Sequence, residues 1–288
     1  MKKFDIPHTV VSKKDFDKDS YKLDDKWFVA INCNYYIVHC VNPKHHAGSK
    51  AGGWRSAVCE GEGAHVEGST KLGGKTVKKV DDFVANGGYF FSEDAVLIEV
   101  LEQGFKKALS HTVELEEKIA KIFPAPGGST HPYLRGVFER REKPEMPVEG
   151  DAASADAGTM SVKIKSNVGK ASWKIDGGSP DIKVTNKDTV TVLLVTPSVK
   201  SDSKEGAPVA VTFSYTKEGG PTPVLSSAGG NSGYSGMSIG QIKGGRVLHV
   251  MSHFGKQQSA EDEFPLQNLI INFLTELNER KSNDAHKK

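Results

Sequence analysis

The sequence has little of what usually announces a function. Its 288 residues include three cysteines, Cys33, Cys40 and Cys59. An odd number, grouped in one region of a long chain, excludes a disulfide framework as the source of stability. No apolar run approaches the roughly 20 residues that cross a bilayer, so no membrane span is expected. The opening Met1–Val11 has lysines but no apolar stretch behind them, unlike a secretory leader, and the default location is cytoplasmic. The net charge is only +2, with acidic and basic residues interleaved, which argues against a nucleic-acid partner. Gly61-Glu62-Gly63 and Gly229–Gly236 lack the strand-before, helix-after setting of a phosphate loop, and no Gly-x-Ser-x-Gly elbow occurs.

What is present is a globular composition, 37% hydrophobic and 26% charged, sufficient for one large domain or two small ones. Trp27–Cys33 is a continuous apolar run, as expected of a strand with both faces covered. His8–Val11 suits a shorter strand before it. Thr76–Ala85 carries Val77, Val80, Phe83 and Val84 at helical spacing, and Asn86-Gly87-Gly88 suits its end. Tyr89–Phe91 then reads as a strand, Ser92-Glu93-Asp94 as a turn, and Ala95–Leu109 as a second helix. Thr112–Ile122 fits either a strand or a short helix.

From Ser161 to Tyr215 the character changes to short β-branched runs separated by turn residues. Arg246–Met251 is another apolar strand, entered by Gly244-Gly245. A polar loop, Ser252–Ser259, follows it. Leu266, Leu269, Ile270, Phe273, Leu274 and Leu277 then form a helical stripe, with Ser259 and Asp262 as an N-terminal cap and Pro265 placed in the first turn. The fold class expected is α/β, a flavodoxin-like and mainly parallel sheet flanked by helices, with an added β-rich segment. Residues 1–139 and 161–282 are read as two parts of one domain. Residues 140–160 read as a linker or insertion and 283–288 as a disordered tail.

The run Phe83-Val84-Ala85-Asn86-Gly87-Gly88-Tyr89-Phe90-Phe91 and the later Gly244-Gly245-Arg246-Val247-Leu248-His249-Val250-Met251-Ser252-His253 resemble the class I glutamine-amidotransferase-like superfamily, in its ThuA-like branch. His131-Pro132-Tyr133-Leu134-Arg135-Gly136-Val137-Phe138 adds a likeness to uncharacterised planctomycete-type proteins of this fold. The resemblance implies that the turn after Phe91 and the loop after Met251 are the functional positions. An active amidotransferase has a cysteine on that turn and His-x-Glu after the late strand. Here Ser92-Glu93-Asp94 and Ser252-His253-Phe254-Gly255 stand there, so no thiolate nucleophile is available for glutamine hydrolysis.

Three functional readings follow. In the first, the chain is a non-catalytic amidotransferase-like binding or accessory domain, its ligand a small molecule such as a carbohydrate, bound by Ser92, Asp94, His253 and Gln257. In the second, it is a hydrolase or isomerase with Glu93, Asp94 and His253 as acid–base candidates. In the third, zinc held by Cys33, Cys40, Cys59 and His65 staples the Gly-rich Asn34–Ser69 stretch, thiolate and imidazole being suited to that ion. No other cofactor is expected. Each pattern also has a plain structural counterpart. Ser92 or Asp94 suits capping of a helix from Ala95. Cys33 suits a buried strand end. The loop after Met251 suits a simple connection, and His249 suits packing with a hydrogen bond.

Overall fold

The computed structural model describes residues 8–31 apart from 12 and 25, 72, 74–105, 108–126, 128–141, 171–201, 204–224 and 244–285, with short strands at 39–40, 66–67 and 164–166. Its main sheet has seven strands: β1 (Phe28–Ile31), β2 (Tyr89–Glu93), β3 (Phe123–Pro124), β4 (Thr191–Thr196), β5 (Ala207–Thr216), β6 (Gly220–Pro223) and β7 (Gly245–Val250). Their order is β1-β2-β7-β5-β4-β3, with β6 also on β5. Helix α1 (Gly74–Ala85) precedes β2, and helix α2 (Ala260–Ala285) follows β7.

The sheet is mixed. β1, β2 and β7 run parallel, whereas β5, β4, β3 and β6 are antiparallel to their neighbours. The α/β class expected from the sequence is present, and the parallel part is confined to three strands. The cause lies in connection length: β4 ends at Thr196 and β5 begins at Ala207, too short an interval for the crossover a parallel pair requires. Of the β-rich segment, Thr191–Thr196 and Ala207–Thr216 join the main sheet as β4 and β5, whereas Ser172–Ile175 and Lys183–Val184 pair outside it with Lys118–Lys121 and Leu109–Ser110.

The layers follow from strand alternation. Tyr89 meets Phe273 of α2, with ring centroids 5.0 Å apart, while its neighbour Phe90 stacks on Phe105 at 6.4 Å. Adjacent residues of one strand face opposite ways, so α2 covers one face and the segment 96–105 the other. All residues of β2 and β7 are buried, Ser92, Glu93, Arg246 and His249 among them, as expected of strands covered on both faces. On α1 the buried set is Thr76, Val77, Val80, Phe83 and Val84. A Schellman cap ends that helix: Gly87 N donates to Val84 O (2.9 Å) and Gly88 N to Phe83 O (3.0 Å), with Gly87 at φ +102°.

Several local expectations are corrected. Ser92 and Glu93 belong to strand β2, and the turn begins only at Asp94. The helix after it is shorter than Ala95–Leu109: a π-helical turn, Leu97–Leu101, runs into Glu102–Gly104, and Leu109–Ser110 is already a strand paired with Lys183–Val184. Thr112–Ile122 resolves as extended chain, its strand Lys118–Lys121 paired antiparallel with Ser172–Ile175. Residues 8–11 form no strand. Pro265 lies beyond the first turn of α2, because the Ser259 cap sets the helix start at Ala260. The Ser259 cap itself is as expected, with Asp262 N donating to Ser259 Oγ at 3.1 Å. The helix continues through Ala285, into the region read as a tail. Glu139–Arg141 pairs with Ile164–Ser166, so an antiparallel pair bounds the stretch read as a linker. Residues 142–163, most of that stretch, lie outside the described residues, as do 225–243 and 286–288.

At the N-terminal edge of β2 and β7, buried Glu276 of α2 accepts from Tyr89 Oη (2.9 Å), Tyr133 Oη and Arg246 Nε (3.1 Å). Fully bonded networks of this kind fix one arrangement of helix on sheet. Beside it, Gly245 has no room for a side chain: a Cβ there would sit 2.0 Å from Gly88 O and 2.4 Å from Val84 O. Gly245→Ala is therefore expected to cost about 3 kcal/mol or more in chemical denaturation. Gly74→Ala, with nothing within 4 Å of the added Cβ, should be neutral or slightly stabilising. Equal stability of the two variants would contradict the close approach.

Candidate functional site

The candidate residues converge where β2 and β7 end together. The parallel register pairs His249 with Ser92 and Val250 with Glu93, and Asp94 N continues the ladder by donating to Val250 O at 2.8 Å. Asp94 then turns the chain with φ 47°, the left-handed region that Asp tolerates better than most residues. This conformation swings its carboxylate toward the loop after β7. The chain leaving β7 carries Ser252 and His253, so adjacent strand ends bring Asp94 and His253 together.

His253 Nε2 lies 3.1 Å from Asp94 Oδ2, and His253 Nδ1 lies 3.2 Å from Asp176 Oδ2. Ser179 Oγ donates to Asp94 Oδ2 at 2.8 Å. Asp176 and Ser179 bracket a Gly177-Gly178 turn in which Gly178 has φ +84°. Asp176 is also paired with Lys174 (3.0 Å) and, more distantly, Lys256 (3.8 Å). The His253 and Asp94 side chains are only 5% and 4% exposed, and Asp176 is 20% exposed. The imidazole thus sits just beneath a rim of partly exposed charges.

The two carboxylates lie close to the His253 ring, yet neither ring nitrogen has an aligned hydrogen bond among the described residues. Burial, with Lys256 adding to it, pushes the imidazole down to about 4, against the pull of Asp176. His131 shows the contrasting arrangement: its Nε2 faces Val224 O at 3.1 Å and its Nδ1 accepts from Tyr133 N at 3.2 Å, a fully assigned neutral ring. His249 has one such bond, Nδ1 to Ser92 Oγ at 3.0 Å, in keeping with its expected packed role.

Other candidates are engaged in holding the loop. Glu93 Oε1 accepts from Phe254 N at 2.7 Å, and Glu263 Oε1 from Gly255 N at 2.7 Å. Gln257 Oε1 accepts from Lys174 N (2.8 Å), while its Nε2 donates to Ser252 Oγ and His253 O. Ser252 Oγ donates to Lys174 O at 2.6 Å. Ser252 and Gln257 therefore bind both backbone groups of Lys174, so Gln257 acts as a brace on the strand Ser172–Ile175. Ser92 is wholly buried against His249 and does not reach the rim. Neither Ser92 nor Asp94 caps a helix, the π-helical turn having Val96 at its start with no side-chain cap.

Sequence reasoning missed Asp176, Ser179, Lys174 and Glu263. Asp176-Gly177-Gly178-Ser179 carries an ordinary turn signal, and nothing in one dimension links it to Asp94. Of the zinc set, Cys33, Cys59 and His65 lie outside the described residues, as does the Cys40 side chain; only the backbone of His39–Cys40, paired with Val66–Glu67, is described there. Among the described residues no group of three or more His, Cys, Asp or Glu is arranged to hold a metal. No described helix is long and apolar enough to cross a membrane.

Glu93 generates a pH test. Burial raises its carboxyl to about 8, assisted by Glu263 and Asp94 and opposed by the Phe254 amide. A group whose folded pKa is raised contributes stability that is complete below the unfolded value of 4.5 and is lost as pH rises toward 8. The buried His131, His249 and His253 act oppositely, losing stability as pH falls below 6.5. Between pH 7 and 8 the three histidines together change by only a few tenths of a kcal/mol, and Glu93 should remove on the order of 1 kcal/mol. Urea unfolding across that window should fall in the parent and stay flatter in Glu93→Gln; parallel curves would reject the elevated carboxyl.

No protein-family model matches the chain, and no curated protein matches it. Among solved structures, the crystal structure of β-galactosidase from Bacillus circulans sp. alkalophilus is similar at 15% identity and a TM-score of 0.33, over 70% of this chain and 21% of that one. The chain spans about a fifth of that protein's length, and likeness this loose carries no functional argument.

Proposed function

We propose that the chain is a non-catalytic binding or accessory domain of amidotransferase-like, flavodoxin-like type, with a hydroxyl-rich small molecule such as a carbohydrate as its ligand. The observation that carries this reading is His253, set between Asp94 and Asp176 at 3.1 and 3.2 Å without an aligned bond on either ring nitrogen. Buried polar groups are mostly hydrogen-bonded; His131 has both ring nitrogens engaged and His249 one of its two, whereas His253 has neither among the described residues. The position supports the same reading, since open α/β sheets hold ligands at the carboxyl ends of their parallel strands. Lys174, Asp176 and Lys256 offer donors and acceptors side by side on the rim, suited to sugar hydroxyls.

Among the described residues no free nucleophile is placed beside the imidazole, which favours binding over acyl transfer. Ser92, Ser179 and Ser252 direct their hydroxyls to His249, Asp94 and Lys174 O respectively. The strand-end turn has no cysteine. A second reading, acid–base hydrolysis or isomerisation by His253 with Asp94, draws support from their 3.1 Å approach, because catalytic hydrogen bonds often align only when substrate is bound.

Amide NMR titrations with malto-, cello- and galacto-oligosaccharides test the first reading. Shifts are expected at residues 92–94, 174–179 and 252–257, and they should be lost in Asp176→Asn. A panel that leaves those amides unmoved rejects it. Steady turnover of nitrophenyl glycosides or esters that drops about 100-fold in His253→Gln would replace it with the acid–base reading.

A further inference from the structure

A second place on the molecule has the dimensions and chemistry of a ligand site. It is a groove between residues 19–26 and the outer face of α1, with a volume of about 450 Å³, within the range of small-molecule sites. It reaches Gly88, just before β2 begins, whereas Asp94 follows the end of β2. The five residues of that strand separate it from His253 by roughly 16 Å.

Five lysines and three aspartates line the groove, leaving a formal charge of +2. Tyr21, Leu23 and Phe83 supply an apolar side. Lys75 pairs with Asp19 at 3.0 Å and Lys78 with Asp82 at 2.6 Å, both lysines being largely exposed. Exposed pairs of this kind are held only weakly in water, so an incoming anion can take the place of the aspartates. Lys79 has a different role. Its ammonium donates to the carbonyls of Phe16 and Lys18 and lies 5.2 Å from the Phe16 ring centroid, tying the 16–21 segment to α1 as one wall. No arginine lines the groove among the described residues. Ammonium groups act as point charges and suit a compact dianion, whereas planar carboxylates favour the guanidinium fork.

We propose that this groove binds an organic phosphate, the phosphoryl group lying among Lys22, Lys75 and Lys78 and an apolar body lying against Tyr21 and Phe83. The site is independent of the reading given to His253.

Amide NMR titration of the full chain with phenyl phosphate, inorganic phosphate and benzyl alcohol tests it. Phenyl phosphate should shift amides of residues 19–24 and 75–88 at about millimolar concentration. Inorganic phosphate should bind more weakly, and benzyl alcohol should leave the groove unchanged. The double variant Lys75→Glu, Lys78→Glu should raise the phenyl phosphate Kd at least about tenfold, while Lys187→Glu, on an exposed turn outside the groove lining, should not. Unmoved groove amides, or equal Kd values in the double variant and the parent, would overturn the proposal. Inorganic phosphate binding as tightly as phenyl phosphate would overturn the part assigned to Tyr21 and Phe83.

Discussion

Where β7 enters the sheet, two stretches of backbone lie closer together than any side chain would permit. Gly245 is pressed against the carbonyls of Val84 and Gly88, and Arg246 N donates to that same Gly88 carbonyl at 3.1 Å. The contact joins the end of α1, the start of β2 and the start of β7 at one point. From it the register runs without a break, Arg246 opposite Tyr89 and Val250 opposite Glu93. A slip of one residue would turn Arg246 away from Glu276 and His249 away from Ser92, because successive side chains face opposite sides. The two strands consequently end level, and the 3.1 Å approach of His253 to Asp94 at the far edge depends on a glycine contact at the near one.

The two ends of these strands are built on different terms. At the near edge, Glu276 meets Arg246, Tyr89 and Tyr133, so a buried charge has a counter-charge and hydrogen-bond donors around it. At the far edge, Glu93, Asp94, Asp176 and Glu263 gather around one histidine and a short loop. Burying carboxylates at that density is unfavourable unless protons or cations compensate, and the elevated Glu93 carboxyl is one result. The near edge resembles a structural lock. The far edge concentrates unfavourable electrostatics at one place, as functional sites commonly do.

Much of the parallel core was legible because both-face burial leaves a simple record. Tyr89–Phe91 is apolar throughout and Arg246–Met251 is apolar apart from Arg246 and His249, and the glycines beside them mark a cap and a close approach. The edge position of Asp94 and His253 was legible for the same reason, since it needs only the strand ends. Asp176 was not. It reaches His253 from a turn whose local pattern is ordinary, and its placement depends on Ser172–Ile175 pairing with Lys118–Lys121, a tertiary choice. Nor did periodicity separate π-helical from α-helical turns at Leu97–Leu101, or show that Ser92 continues a strand. Gln257 illustrates a further limit: nothing in the sequence showed that its amide also supports the backbone of Lys174.

The strand order also bears on how the molecule is made. β7 lies between β2 and β5, yet it follows both in the chain, and the Ser92–His249 contact across β2 and β7 spans 157 residues. During synthesis, β1 with β2 and β4 with β5 can pair as two half-sheets, each keeping one hydrophobic edge without its partner until β7 emerges. Closing so long a loop is entropically slow, and unpaired edges invite association with other chains. Completion of the sheet therefore waits on one late strand, and the interval before its arrival is when a nascent chain would most benefit from a chaperone.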